Sequence, residues 1–306
     1  MQNMPYRSLN AYYRELFGCK VAKISIEGGF SCPNRDGTLG QKGCIFCSTH
    51  GSGDFAEDAS LSIREQIEKG KSQTSKKWDS ITSYIAYFQA FTNTYAPVDV
   101  LRQKYEEALS QPDIVGISIA TRPDCLDDDV LDLLEELSKK TTLWVELGLQ
   151  TSNDATGALI NRGYDNAVFV SAVQRLHRRG ILVVAHVILG LPGENAQDAR
   201  NTIHFLNNLP IHGIKLHLLH VLEHTRLAEL YLSGEYIPLE KQEYLELLCC
   251  CIQLLREDIV IHRLTGDGDK NTLLAPKWSL HKRDVLNSLH KMLRNGDVCQ
   301  GEIKIP

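Results

Sequence analysis

The feature that most constrains this chain is an alternation. Short apolar runs rich in β-branched residues recur, each followed by a longer stretch with apolar residues at helical spacing. The strand-like runs are Val21–Ile26, Ser83–Phe88, Ile114–Ala120, Leu143–Leu149, Val183–Leu189 and Ile214–Leu219. Ala56–Lys69, Val98–Ser110, Asp127–Lys139, Asn166–Arg179 and Asn195–Asn208 carry the helical pattern, and Lys69-Gly70 and Arg178-Arg179-Gly180 are stop signals. Six strands with intervening helices predict a parallel sheet with right-handed crossovers. A closed barrel, an open partial barrel and a doubly wound sheet all satisfy that pattern.

After His220 the rhythm changes. Leu227–Ser233, Lys241–Arg256 and Asp284–Arg294 read as helices and Ile259–Leu264 as a further strand. No linker-like tract precedes them, so the expectation is a core over 1–225 and an extension over 226–306 packed on the same domain. A net charge of −5 over 306 residues argues against coating nucleic acid or acidic membrane broadly, and no DNA partner is expected. No run of 18 apolar residues is present and the first residues are polar, which predicts a soluble cytoplasmic protein without membrane association.

Nine cysteines are many for a reducing compartment, where metal ligands, catalytic thiols or buried hydrophobes are expected before disulfides. Cys249, Cys250 and Cys251 fan out around a helix and read as small core residues. Cys125 follows a strand end and reads equally as a site residue or a loop thiol. Cys32, Cys44 and Cys47 form a Cys-x11-Cys-x2-Cys set in a Gly-rich loop after the first strand, at the end of a β/α fold where ligand sites gather. Three thiolates can hold three irons of a [4Fe–4S] cube and leave one iron open. The same cysteines with His50 would make a closed Cys3His zinc site, and hence a zinc-stabilised interaction protein. Spacing alone leaves both open.

The loop, with Phe46 before Cys47, resembles the cluster motif of radical S-adenosylmethionine (SAM) enzymes of the Elongator-like branch. Thr121-Arg122-Pro123-Asp124, Glu146-Leu147-Gly148-Leu149-Gln150-Thr151, Asn161-Arg162-Gly163, Gly190-Leu191-Pro192-Gly193-Glu194 and His217-Leu218-Leu219-His220 follow in that family's order. Ala86-Tyr87-Phe88-Gln89-Ala90-Phe91-Thr92-Asn93-Thr94 and His262-Arg263-Leu264-Thr265-Gly266-Asp267-Gly268 resemble the bacterial YhcC/YtqA-type subgroup. YtqA-type members, also called MnmL, are associated with late steps in modifying the 5-position of the tRNA wobble uridine.

The resemblance implies a partial (β/α)6 barrel with a C-terminal α/β extension. It also implies a [4Fe–4S] cluster on Cys32, Cys44 and Cys47, and cleavage of SAM to a 5′-deoxyadenosyl radical after one-electron reduction by a donor such as flavodoxin or ferredoxin. By the same resemblance Phe46 and Gly190 lie near adenine, Gln150 near ribose, and Arg162 pairs with the methionine carboxylate. An arginine fork suits that carboxylate. Gln89 or Thr92 stands where the family carries a Gly-Gly-Glu-like segment for the amino group. Glu146 shares a strand face with Gly148 and Gln150 and needs a buried partner, for which Arg122 is a candidate. Either residue would then touch SAM or substrate, or the two would form a purely structural buried pair. His186, His217, His220 and His262 sit on or beside strands and would contact substrate or simply fill the core. tRNA is the implied partner, although Arg178-Arg179 and Lys277 with His281-Lys282-Arg283 are the main basic groups. A small metabolite or a protein side chain is the alternative substrate.

Overall fold

The computed structural model describes residues 4–48, 51, 60–78 and 80–303; His50, the fourth ligand of the zinc reading, lies outside them. Among the described residues, nine strands and ten α-helices follow in chain order. The strands are β1 (Val21–Ile26), β2 (Ser83–Phe88), β3 (Ile114–Thr121), β4 (Thr142–Gln150), β5 (Leu182–Leu189), β6 (Gly213–Leu218), β7 (Val221–Leu222), β8 (Val260–Arg263) and β9 (Leu273–Ala275). The helices are α1 (Leu9–Phe17), α2 (Ile63–Ser75), α3 (Val98–Leu109), α4 (Asp128–Ser138), α5 (Asp154–Leu159), α6 (Asn166–Arg178), α7 (Ala196–Asn207), α8 (Arg226–Leu232), α9 (Lys241–Leu254) and α10 (Lys282–Asn295).

Seven strands pair in the order β1-β2-β3-β4-β5-β6-β8, every pair parallel, and the sheet curls into a half-barrel. The run after His220 therefore supplies a seventh strand. The two edge strands, β1 and β8, do not pair with each other, so the barrel keeps an open seam. Residues of one parity, such as Ile24, Ile117, Val145, Ala185 and Ile214, face the surrounding helices and form the main core with them. The other parity faces inward, where the layers differ sharply in character.

At the amino-terminal end of the strands the interior is apolar. Ile85, Trp144 and Val184 pack against Tyr13 of α1, with Tyr12 and Phe17 alongside. This helix plugs the bottom of the barrel. Its limits are chemically marked: Ser8 accepts from the Ala11 N–H, and Gly18 ends it in the left-handed region at φ 72°.

The Lys69-Gly70 stop is overrun, because α2 continues to Ser75. A side chain at Gly70 would bring its Cβ within 2.4 Å of Ile24 Cγ2 on β1. This glycine therefore serves close helix–sheet packing and does not end the helix. Arg178-Arg179-Gly180 does end α6, with Gly180 at φ 70°.

Candidate functional site

The three candidate cysteines lie at the carboxyl ends of the strands. The loop after β1 turns back on itself through Arg35 and Asp36 N–H bonds to the Cys32 carbonyl and a Cys47 N–H bond to the Cys44 carbonyl. Two bonds tie it to distant segments: Ile45 N–H donates to Ile160 O at 3.1 Å, and Leu227 N–H of α8 donates to Ile45 O at 2.9 Å. Ile45 and Phe46 pack on an apolar cluster formed by Ile160, Leu191, Leu219 and Leu227. Phe46 is thus partly buried among aliphatic groups that join loop, barrel rim and extension.

All three cysteines are half-buried free thiols. The Cys44 and Cys47 thiols hydrogen-bond to each other, and Cys32 is near enough to act on Cys47 electrostatically. Through that bond from Cys47, helped by Arg122, Asn34 and Arg35, the Cys44 thiol titrates below its ordinary value, while Cys47 is pushed up. Asn34 Nδ2 approaches Cys44 Sγ at 3.9 Å while donating to Asn161 O at 2.7 Å. Among the described residues, no three His, Cys, Asp or Glu side chains converge on a single ion position. A cube is gripped at separate corners, so three neighbouring, partly exposed thiols beside two arginines fit a net-negative iron–sulfur cube.

Around this loop the remaining predicted residues divide. Gln150 ends β4 at a register irregularity with φ 62°, a left-handed conformation rare for a residue with a side chain. Its carboxamide folds over side-chain-free Gly148 and accepts from Tyr164 Oη at 3.3 Å. Arg162 is 1% exposed and explains how that turn survives. One guanidinium nitrogen donates to the carbonyls on both sides of Gln150, Leu149 at 2.7 Å and Thr151 at 2.9 Å. The others engage Tyr164 O at 2.8 Å and Asp154 at 2.8 Å. The arginine expected to meet a methionine carboxylate is instead committed to a backbone clamp, which a ligand carboxylate would have to displace.

Arg122 does not pair with Glu146. It grips Asp124 with two bonds of 2.9 and 2.7 Å, donates to Arg162 O, and stacks over Tyr164, with Arg162 also 4.9 Å from that ring. Against the pull of burial, Asp124 raises the Arg122 pKa further. The reason for the mismatch is depth: Arg122 follows the end of β3, whereas Glu146 lies mid-strand below the rim.

Gly190, expected near adenine, has the side that a Cβ would occupy already covered by protein. At φ 84° its outer face meets Leu239, whose Cδ1 would lie 2.9 Å from an added Cβ, and its carbonyl accepts from Tyr236 Oη at 2.8 Å. The extension covers it. Gln89 is buried at the end of β2 and Thr92 just beyond, its N–H bonded to Ser31 O at 3.2 Å. Cys125 Sγ lies 3.8 Å from Asp124 Oδ1, and burial pushes its thiol up.

Glu146 is the centre of a polar layer that sequence reasoning left incomplete. It is 1% exposed and bonds Lys23 Nζ at 2.6 Å, Ser118 Oγ at 2.6 Å, His186 Nε2 at 2.6 Å, and Lys215. Lys215 also donates to Tyr87 Oη at 2.9 Å, and both lysines stand over the Tyr87 ring. Burial alone would push the Glu146 carboxyl up, but Lys215 and Lys23 hold it well below the usual range. Burial pulls Lys215 down to about 7 and His186 to about 4. The missed lysines carry one sequence signal, a lone cation inside an otherwise apolar strand, in VAKISI and GIKLHL. Above this layer His217 and His220 each keep a buried Nε2 without a protein partner. Burial lowers both, His220 to about 4, so both imidazoles are neutral near pH 7.

The basic surface groups are largely spent. Arg179 reaches Asp132 and Glu135, Arg175 reaches Asp128, and Lys282 pairs with Asp267 at 2.5 Å. No helix among the described residues is long and apolar enough to cross a membrane.

Comparison with known proteins matches this arrangement. The Radical SAM superfamily model matches residues 32–206 and the Radical_SAM C-terminal domain model residues 211–295. The chain is 45% identical to YtqA of Bacillus subtilis over 99% of this chain and 96% of that one. It is 40% identical to YhcC of Escherichia coli K12 over 92% of this chain and 90% of that one. A tRNA uridine(34) acetyltransferase of Methanocaldococcus jannaschii is 26% identical over 50% of this chain and 28% of its own. Among solved structures, Elp3 of Methanocaldococcus infernus superposes with a TM-score of 0.70 at 16% identity, covering 92% of this chain and 64% of that one. With its cysteine loop at the mouth of a parallel half-barrel, the chain belongs to the radical SAM superfamily, in the Elongator-like branch, and is an enzyme whose cofactors are a [4Fe–4S] cluster and SAM.

Proposed function

We propose that the enzyme acts on the 5-position of the tRNA wobble uridine, with Cys32, Cys44 and Cys47 holding the cluster and Gln150 and Arg122 facing the SAM cavity. When bound to those cysteines and reduced by a small donor such as flavodoxin or ferredoxin, the cofactor pair would supply radical hydrogen-abstraction chemistry. The chain's own residues do the rest. Arg162 holds the strained turn that presents the Gln150 carboxamide. Asn34 and Arg122 steady Cys44. Plug helix α1 closes the amino-terminal end of the barrel, leaving the mouth for a flipped base to enter.

The observation that carries the reading is the pair of buried, unpartnered imidazole nitrogens on His217 and His220. A neutral imidazole donates on one nitrogen and accepts on the other, which complements the hydrogen-bonding edge of a uracil. The partial likeness to a tRNA uridine(34) acetyltransferase supports it. Mass spectrometry of tRNA nucleosides from a deletion strain tests it: accumulation of a wobble-uridine precursor is expected, and an unchanged profile removes the assignment. A second reading keeps the chemistry but takes a small metabolite or a protein side chain. It is favoured by the spent basic clusters, since Arg179 and Lys282 already pair with carboxylates. 5′-Deoxyadenosine formation indifferent to added tRNA would select it.

A further inference from the structure

The seam between β1 and β8 encloses a cavity of about 360 Å³, lined by Tyr13, Lys23, His262, Arg263 and Lys282 among others, with no carboxylate among its lining residues. Its polar groups are unsatisfied to an unusual degree. Tyr13 Oη and both ring nitrogens of His262 are buried without a hydrogen-bond partner. The Arg263 guanidinium has no hydrogen bond and no ion pair among the described residues, although it acts electrostatically on Lys23, Lys215 and His217. Lys23 uses two of its three N–H groups on Glu146 and Ser118, which leaves one.

A register irregularity in β8 produces this arrangement. Ile214 pairs with Ile261, but Lys215 pairs with Arg263, so one extra residue, His262, is accommodated between them. His262 fits because Gly213 on the neighbouring strand has no side chain; a Cβ there would lie 2.7 Å from the imidazole. Nearby cations outnumber anions: Lys23 and Arg263, with Lys215 partly charged near neutrality, face the single buried carboxylate of Glu146. Partly buried cations without counter-charge are unfavourable, and a bound anion relieves that.

We propose that this seam cavity is a binding site for a compact oxyanion, a phosphate or carboxylate group. The Arg263 fork takes two of its oxygens, and Lys23, His262 and Tyr13 complete the shell. Lys282, paired with Asp267, stands at the rim. The site is separate from the cysteine loop and stands whether or not tRNA is the substrate.

The test is calorimetric titration of the anaerobically reconstituted holoenzyme with inorganic phosphate and, separately, with acetate, at ionic strength fixed with sodium chloride. Saturable one-to-one binding is expected, at least about tenfold weaker in Arg263→Gln and intermediate in Arg263→Lys, which keeps charge but loses the fork. Circular dichroism checks that the variants are folded; if Arg263→Gln is not, Arg263→Lys carries the comparison. Binding of phosphate alone assigns a phosphoryl ligand, and binding of acetate alone assigns a carboxylate. Absence of saturable binding by either anion, or Arg263 variants that bind as tightly as the parent, overturns the proposal.

Discussion

The mouth of the half-barrel and the buried polar layer beneath it, a floor lying above the apolar plug of α1, use polar residues in opposite ways. At the mouth, Cys32, Cys44 and Cys47 are half-buried, and the loop that bears them is held by backbone hydrogen bonds and an apolar patch. At the floor, Glu146 is sealed among Lys23, Lys215, His186 and Ser118. The three mouth cysteines are therefore nearly free to be changed without unfolding the chain, whereas the floor is part of its stability. Function and stability are carried at different depths of one strand set.

The sharpest way to break that contrast is Cys44→Ala. Loss of a cluster ligand is expected to lower 5′-deoxyadenosine formation by at least about three orders of magnitude, with iron content falling too. The unfolding free energy of the apoprotein from urea titration should change by less than about 1 kcal/mol, the range for a substitution away from the core. A variant that unfolded would instead favour a structural zinc site.

Next in size is Glu146→Gln. It leaves two buried lysines without their counter-charge and is expected to destabilise by about 3–5 kcal/mol in urea unfolding. A loss below about 1 kcal/mol would mean that the Glu146 carboxylate does not hold the two lysines electrostatically.

The third test uses pH. His186, His212 and His220 are drawn down to about 4, chiefly by burial. Their folded values lie below the unfolded 6.5, so the unfolded chain binds more protons between those limits and stability falls as pH falls through that window. At pH 5.5 each contributes a loss of about 1 kcal/mol relative to pH 7.5. The depressed Glu146 carboxyl adds to the loss only below about pH 4.5. Urea midpoints at the two pH values check this, and equal midpoints would refute neutral, buried imidazoles.

The smallest effect concerns the outer face. Gly70→Ala should destabilise by about 1–3 kcal/mol through overpacking on Ile24, although alanine is the better helix former. A gain in thermal melting temperature would show that α2 can withdraw from the sheet.

How much of this was legible in the sequence follows the same division by depth. The limits of β1 and β2 were read as they stand, because their apolar runs are bounded by turn residues. The cysteine loop was legible because its residues are close in sequence. The floor was not: Lys23, Glu146 and Lys215 lie on β1, β4 and β6, and only curling of the sheet brings them together. Helix α1 is hidden in the sequence by the polar residues around it, yet Ser8 and Gly18 mark its ends. Arg162 shows a different limit. Its spacing from Gln150 resembles a ligand contact, but the left-handed turn it also clamps is a tertiary property that spacing cannot express.

The bond from Leu227 N–H to Ile45 O joins the start of α8 to the peptide beside the second cysteine. Heredity must treat those two stretches as one unit. A recombinant that exchanged everything after Thr225 for a foreign tail would inherit a cysteine loop tuned to a different docking helix. Fusions at that junction should show weakened iron retention before any change in what the enzyme modifies.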